Sequence, residues 1–328
     1  MDIALVREHL GSDWTAVTDA MTDSLESDIE LLNMTNSKIL SHSGKQLRPL
    51  IALLMARACS CGKGTTEASI RYAAASELLH NATLLHDDVA DGSDMRRGVP
   101  TVNSLMGPSV SVLVGDFWLV KAMELVLGDS REDIRVVGIF SKTLGDLAKG
   151  EMLQLQKATS GDTGMDDYRR IIYCKTASLF EAACRSAAVS VGASDEYEKA
   201  AVDYAVALGL AFQVKDDILD YDGGESVGKP LGVDITEQKM TAPLLGAFLQ
   251  VSDDEEARVR SLVRDIVSHP EYKDEIISFV KSNGGLEAAS RILDDFVGQA
   301  VDALGVFPDS FEKDTLAQLA HFVADRNR

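Results

Sequence analysis

Leu84–Arg97 reads LLHDDVADGSDMRR. Asp87, Asp88 and Asp91 close a long apolar run, and Arg96 and Arg97 arrive just after them. Residues four apart share a face of a helix, so a helical reading presents the Asp87 and Asp91 carboxylates to one point in space. The same Asp-Asp-x-x-Asp pattern returns in Phe212–Tyr221, FQVKDDILDY, as Asp216, Asp217 and Asp220. Carboxylates near a helix C-terminus oppose the helix dipole. A locally costly choice made twice is the kind of conflict expected at a functional site. Oxygen-only ligands point to a hard divalent cation, and magnesium shares carboxylates with substrate phosphates. Two such clusters suggest one site clamped from two sides by metal.

Outward from these clusters the periodicity is helical almost everywhere, with no convincing alternating strand. A helix is expected to open at Pro49, a good first-turn residue, and to run to the Gly62–Gly64 turn. Thr65 or Thr66 then caps a long helix with Glu67 in its first turn, ending in the first aspartate cluster. Helices follow over about 109–127 and 131–157, then 166–192 as one helix, then 195–221 carrying the second cluster. A glycine-rich loop spans 222–236, and four or five amphipathic helices complete the chain. No linker divides it. The expectation is one all-α domain over residues 1–328, a single large helical bundle.

The bulk composition narrows the function. The chain carries 52 acidic and 32 basic residues, a net charge of −20, which argues against nucleic acid as a partner. An acidic protein handling an acidic substrate needs bridging cations, which the aspartate clusters could hold. The four cysteines form no Cys-x-x-Cys pair and have no histidines at zinc spacing, so reduced thiols in a cytoplasmic protein are expected. The N-terminal segment lacks a basic start followed by an apolar run, and no apolar run reaches the length of a bilayer span.

The basic residues are few and cluster beside the aspartates or in glycine-rich turns. Lys45 and Arg48 lie three apart, Arg96 and Arg97 follow the first cluster, and Lys175 with Thr176 interrupts RRIIYCKTASLF. Lys229 and Lys239 flank the loop after the second cluster. Such placement favours diphosphate binding, with arginine forking onto phosphate oxygens and lysine acting as a point charge.

On these pieces the chain resembles the trans-prenyl diphosphate synthases, or polyprenyl synthetases, over nearly its whole length, and its long-chain members most. The matching stretches are GKQLRP, ELLHNATLLHDDVADGSDMRRG, VLVGDFW, KGEMLQL, KTASLFEA, FQVKDDILD, GKPLGVD with KMTAPL, and FVADR. The resemblance implies an all-α fold around a deep central cavity, a homodimer, and three magnesium ions. It further implies that Asp87 and Asp91 ligate metal with Asp88 alongside, and that Asp216 does so with Asp217 and Asp220 in support. By the same resemblance Arg96, Lys175, Lys229 and Lys239 grip the allylic diphosphate. Lys45, Arg48, His80 and Arg97 would hold isopentenyl diphosphate, and Thr176 and Gln213 would lie near the allylic carbon. Product release would involve contact with a membrane surface. His86 reads as a packing neighbour, since the chemistry needs no protein nucleophile. Lys215, beside Asp216, departs from the family, where that position is often apolar or glutamine.

Product length should depend on the helix face beneath Asp87. The residues read as bordering the path below Asp87 are Thr83, Ala82, Leu79, Ser76, Ala75 and Tyr72, four of them small. In the family, short-chain members carry aromatic residues where Ala82 and Thr83 stand, so the first turn here is open. Asp87 to Ala75 spans about 18 Å of helix, room for about four isoprene units of roughly 4.5 Å each. The tunnel then meets Tyr72 or turns toward another helix, with Leu119, Met123 and Phe140 as candidate floors. A long-chain product of the hexaprenyl to nonaprenyl class, for quinone side chains, is expected, with geranylgeranyl or farnesylgeranyl diphosphate as the alternative. A regulatory subunit would have lost acidic or basic site residues, and all are present. A terpene cyclase would carry an Asn/Asp-Ser/Thr-Glu type motif in place of the second cluster.

Overall fold

The computed structural model describes residues 1–42, 44–96, 98–128, 130–222 and 231–326. Helices α1 (Ile3–Leu10), α2 (Ser12–Ser24), α3 (Glu30–Leu40), α4 (Leu47–Cys59) and α5 (Glu67–Ala90) lead into a two-residue hairpin, β1 (Met95–Arg96) and β2 (Val99–Pro100). Next come α6 (Val102–Met106), α7 (Pro108–Val126), α8 (Arg131–Ser160) and α9 (Met165–Ile172). A π turn over Tyr173–Ala177 joins α9 to α10 (Ser178–Ser190), and α11 (Asp195–Asp222) follows. The rest is α12 (Val233–Thr236), α13 (Ala242–Phe248), α14 (Asp253–Asp265), α15 (Tyr272–Ser282), α16 (Gly285–Ala303) and α17 (Phe311–Asp325). The fold is all-α, as the periodicity indicates. No described helix is long and apolar enough to cross a membrane.

The chain forms two compact units. The first comprises Met1–Ser141, Ala182–Ala201 and Phe307–Leu316. Its central helix, α5, packs along α7 and against α4 and α2. Thr66 starts α5 by a reciprocal cap. Its hydroxyl accepts from the Ser69 amide at 3.1 Å, and the Ser69 hydroxyl accepts from the Thr66 amide at 3.0 Å. Thr65, the other candidate cap, instead donates to Asp13 Oδ2 at 2.9 Å. Tyr72–Leu79 is buried without interruption, as is Leu50–Ala56 on α4. A helix buried around its whole circumference needs no polar face. Each fully buried leucine here contributes roughly 2 kcal/mol by removal of apolar surface from water.

The lower end of α5 is fastened by Asp133. Its carboxylate accepts from the Tyr72 hydroxyl, from Arg71 at 2.8 Å and from Ser130 Oγ at 2.7 Å. Arg71 also donates to the Leu125 carbonyl, 2.8 Å away at the end of α7.

The second unit comprises Lys142–Glu181, Val202–Val306 and Ala317–Arg328. Within it α13 packs on α16 and α9, and α15 on α14 and α16. The segment expected as one helix over 166–192 is interrupted. At the π turn the Ser178 amide reaches back to the Tyr173 carbonyl, one residue further than an α-helix allows. The Cys174 carbonyl, which would have taken that amide, instead accepts from Ser178 Oγ at 2.7 Å. Two glycines let neighbours approach this turn. A Cβ on Gly209 of α11 would come within 2.5 Å of the Ala177 Cα, and one on Gly150 of α8 within 2.7 Å of the Cys174 Cβ. The hairpin is the other departure from expectation. Met95 pairs with Pro100 and Arg96 with Val99, about a positive-φ glycine at Gly98.

Candidate functional site

In the first unit α5 ends at Ala90, so Asp87 and Asp88 lie in its last turn and Asp91 is its C-cap. Asp87 is half-buried, Asp91 exposed and Asp88 buried. Asp88 is committed to structure. Its Oδ1 accepts from Arg96 Nε at 2.8 Å, and its carbonyl accepts from the Ser93 amide and the Asn103 side chain. The hairpin thus returns Arg96 to the aspartates that precede it. His86 Nε2 lies 3.2 Å from Asp116 Oδ1 of α7. Lys45 is exposed and receives a bond from Arg7 of α1 at its carbonyl, 2.8 Å away. Arg48 and His80 are half-buried. Ala82, Leu79 and Ala75 are fully buried on α5, while Thr83 and Met123 are half-buried. Arg97 and Lys229 lie outside the described residues.

In the second unit the second cluster sits on α11, and its three aspartates have distinct partners. Asp216 Oδ1 is 2.8 Å from an Arg326 nitrogen. That guanidinium stacks 3.8 Å from the Phe212 ring centre and donates to the Phe212 carbonyl at 2.8 Å. Asp217 is buried. It accepts from Tyr168 Oη at 2.6 Å and from Gln213 Nε2 at 2.9 Å. Burial, partly offset by these bonds, pushes its carboxyl up to about 6. Asp220 accepts from the Val233 and Asp234 amides at 3.0 and 3.1 Å, tying α11 to α12. Burial, with the charges of Asp217 and Asp220, pushes Asp234 well above the carboxylate range. Lys215 has its pKa lowered by burial and by the Arg326 charge.

A cavity of about 100 Å³ opens beside this cluster, lined by Gln154, Tyr168, Lys175, Gln213, Asp217 and Lys239 among others. Lys175 Nζ lies 2.8 Å from Glu151 and 3.1 Å from Gln154 Oε1, and Lys239 pairs with Glu237. Thr176 Oγ1 donates to Gln213 Oε1 at 2.8 Å. The sequence-predicted Lys175, Thr176, Gln213, Asp217 and Lys239 are therefore assembled in one place. The reading missed Tyr168, Asp234 and Arg326. Asp234 and Arg326 fall inside GKPLGVD and FVADR, which carried part of the resemblance, and Tyr168 stands two helical turns before Lys175.

Carboxylate oxygens are the donors a hard cation takes, and they fit magnesium. Among the described residues no three such side chains form a ready cage. A cation here would complete its shell with water and phosphate, as magnesium does.

The polyprenyl synthetase family model matches residues 29–280. The chain is 37% identical over 329 residues to the octaprenyl diphosphate synthase of Escherichia coli, covering 100% of both chains. Among solved structures, the decaprenyl diphosphate synthase from Rhodobacter capsulatus aligns with a TM-score of 0.90 at 32% identity, covering 100% of both chains. The polyprenyl synthase from Caulobacter crescentus CB15, complexed with calcium and isoprenyl diphosphate, aligns with a TM-score of 0.88 at 32% identity, covering 100% of this chain and 98% of that one.

Proposed function

The chain belongs to the polyprenyl synthetase family, and from that premise we propose that it elongates an allylic diphosphate with isopentenyl diphosphate into a long-chain all-trans polyprenyl diphosphate. The product falls in the hexaprenyl to nonaprenyl class and serves as a quinone side chain. The observation that carries this reading is the cavity of the second unit. In a chain of net charge −20, three lysines, Lys157, Lys175 and Lys239, line one cavity with the aspartates Asp217 and Asp234 and beside an amide–hydroxyl pair. Lysines gathered on one cavity of an acidic protein suit a diphosphate.

Asp87, Asp91 and Asp216 would hold magnesium, three ions in all, with Asp88, Asp217 and Asp220 as supports. When bound, magnesium neutralises the charge that develops on the leaving diphosphate. Arg96, Lys175, Lys229 and Lys239 bind the same diphosphate, lowering the cost of ionisation. Lys45, Arg48, His80 and Arg97 hold isopentenyl diphosphate with its double bond within reach of the cation. Thr176 and Gln213 face the allylic carbon. Released pyrophosphate takes the proton lost after bond formation, so no side chain needs to act as nucleophile. Ala82, Thr83, Leu79, Ala75 and Met123 border the growing chain.

The chain works in the cytoplasm as one catalytic domain and as a homodimer, touching the membrane surface when product leaves. Exposed apolar side chains in the first unit support the dimer: Leu31 and Met34 on α3, Leu113 and Val120 on α7. The deciding experiment supplies farnesyl diphosphate, labelled isopentenyl diphosphate and magnesium, then sizes the chains. Long-chain product is expected, and absence of incorporation overturns the reading. Asp87→Ala and Asp216→Ala should each lower turnover by orders of magnitude while the circular dichroism stays helical; near-normal rates would remove these aspartates from the metal site.

A further inference from the structure

We propose that Tyr168 is a positioning residue for the condensation, acting through Asp217 and Gln213 to fix the direction of the Thr176 hydroxyl. The inference rests on the reading that Thr176 and Gln213 sit at the allylic carbon. Tyr168 lies on α9 before the π turn and Thr176 lies within that turn. Both reach the same pair on α11, Gln213 and Asp217, one helical turn apart. The four side chains form a line of three hydrogen bonds, Tyr168 to Asp217, Gln213 to Asp217 and Thr176 to Gln213, that begins before the altered winding and ends within it.

The polarity of this line follows from donor and acceptor inventory. A carboxylate only accepts. Tyr168 Oη fills Asp217 Oδ2 from 2.6 Å, and the Ala242 amide also donates to this side chain. Gln213 must therefore turn its amide nitrogen to Asp217 Oδ1, 2.9 Å away. That leaves the Gln213 carbonyl oxygen toward Thr176, 2.8 Å away, and a carbonyl can only accept. The single proton of Thr176 is spent on Gln213, so its oxygen presents lone pairs elsewhere. An oxygen fixed as acceptor is attractive to positive charge developing on carbon, whereas a hydroxyl pointing its proton there is repulsive. Tyr168 is buried, its hydroxyl donates to Asp217, and the Ala242 backbone also reaches it. Without that donor the Asp217 carboxylate can turn from Gln213, and the Gln213 amide can reverse.

The test is Tyr168→Phe, which keeps the ring and removes only the hydroxyl. The expected result is a fall in kcat of roughly 10- to 100-fold, with KM for both diphosphates within about threefold. Thr176→Val should lower kcat as well, and the double variant should be no slower than Thr176→Val alone, within about threefold. Unchanged kcat in Tyr168→Phe, a loss carried by KM, or independent multiplication of the two defects would each overturn the proposal. Thermal melting of every variant accompanies the kinetics, with assays repeated at low temperature. A Tyr168→Phe chain that fails to fold even there makes the residue purely structural and also overturns it. Wild-type protein that elongates normally beside a normal Tyr168→Phe overturns this inference alone, while wild-type protein that incorporates no isopentenyl diphosphate overturns the functional reading with it.

Discussion

Burial alone would raise the pKa of Asp133, but hydrogen bonds from Tyr72, Ser130 and Arg71 hold it well below the usual carboxylate range. A folded-state pKa below the unfolded value adds stability above the unfolded pKa, and that stability is lost as pH falls through the folded value. Asp133→Asn should therefore lower the unfolding free energy at pH 7, by on the order of 2 kcal/mol. The gap to wild type should shrink below about pH 4, and a constant gap across pH would refute the ion-pair account. Asp217 has the opposite sign. Its pKa is raised to about 6 by burial, so it withdraws stability as pH rises from about 4 to 6. The sequence displays both aspartates, but only the second within a pattern. The partners that set their chemistry are remote: Tyr72 lies 61 residues from Asp133 and Tyr168 lies 49 from Asp217. Spacing along one helix reveals which carboxylates share a face, and says nothing of a hydroxyl arriving from another.

Helix α5 joins the first aspartate cluster to a run of small buried side chains, and Ala75 and Ala82 are fully enclosed. Ala82→Tyr should place a ring in the buried stretch preceding the first cluster and shorten the product, as sized by chromatography of the dephosphorylated chains. Unchanged length would mean that the tail runs elsewhere. Gly209 governs the approach of α11 to the π turn. Gly209→Ala puts a methyl group 2.5 Å from the Ala177 Cα, so backbone must move. A loss of about 1–3 kcal/mol in stability, with turnover falling in parallel, is expected from chemical denaturation and assay. Most helices were legible from their period and their Gly, Pro and Thr boundaries, because burial of one stripe or of a whole circumference leaves that imprint. The π turn left none. YCKTA contains neither glycine nor proline, and the Ser178 hydroxyl that satisfies the displaced carbonyl looks like any other serine.

Across the whole molecule the acidic surplus and the exposed apolar side chains of the first unit point to different partners. A net charge of −20 disfavours polyanions, whereas Leu113 and Val120, 67% and 53% exposed, offer α7 a surface that water does not satisfy. Leu113→Glu should shift the protein toward monomer in sedimentation velocity. A monomeric wild type would overturn the proposed dimer, and an unaltered dimer in the variant would move the interface away from α7. The two aspartate clusters were legible at once because each repeats a five-residue pattern. The pairing of Asp216 with Arg326 was not, since it joins α11 to the far end of the chain.

The π turn carries one residue more than the α-helical path between the same two ends. Removing a single residue from Tyr173–Ala177 would therefore restore continuous α winding and leave both flanking helices in their present phase. Such a deletion should gain helix regularity and heat tolerance while losing turnover, because Lys175 and Thr176 would no longer occupy the same angular positions. The extra residue sets the angles at which Lys175 meets Gln154 of α8 and Thr176 meets Gln213 of α11.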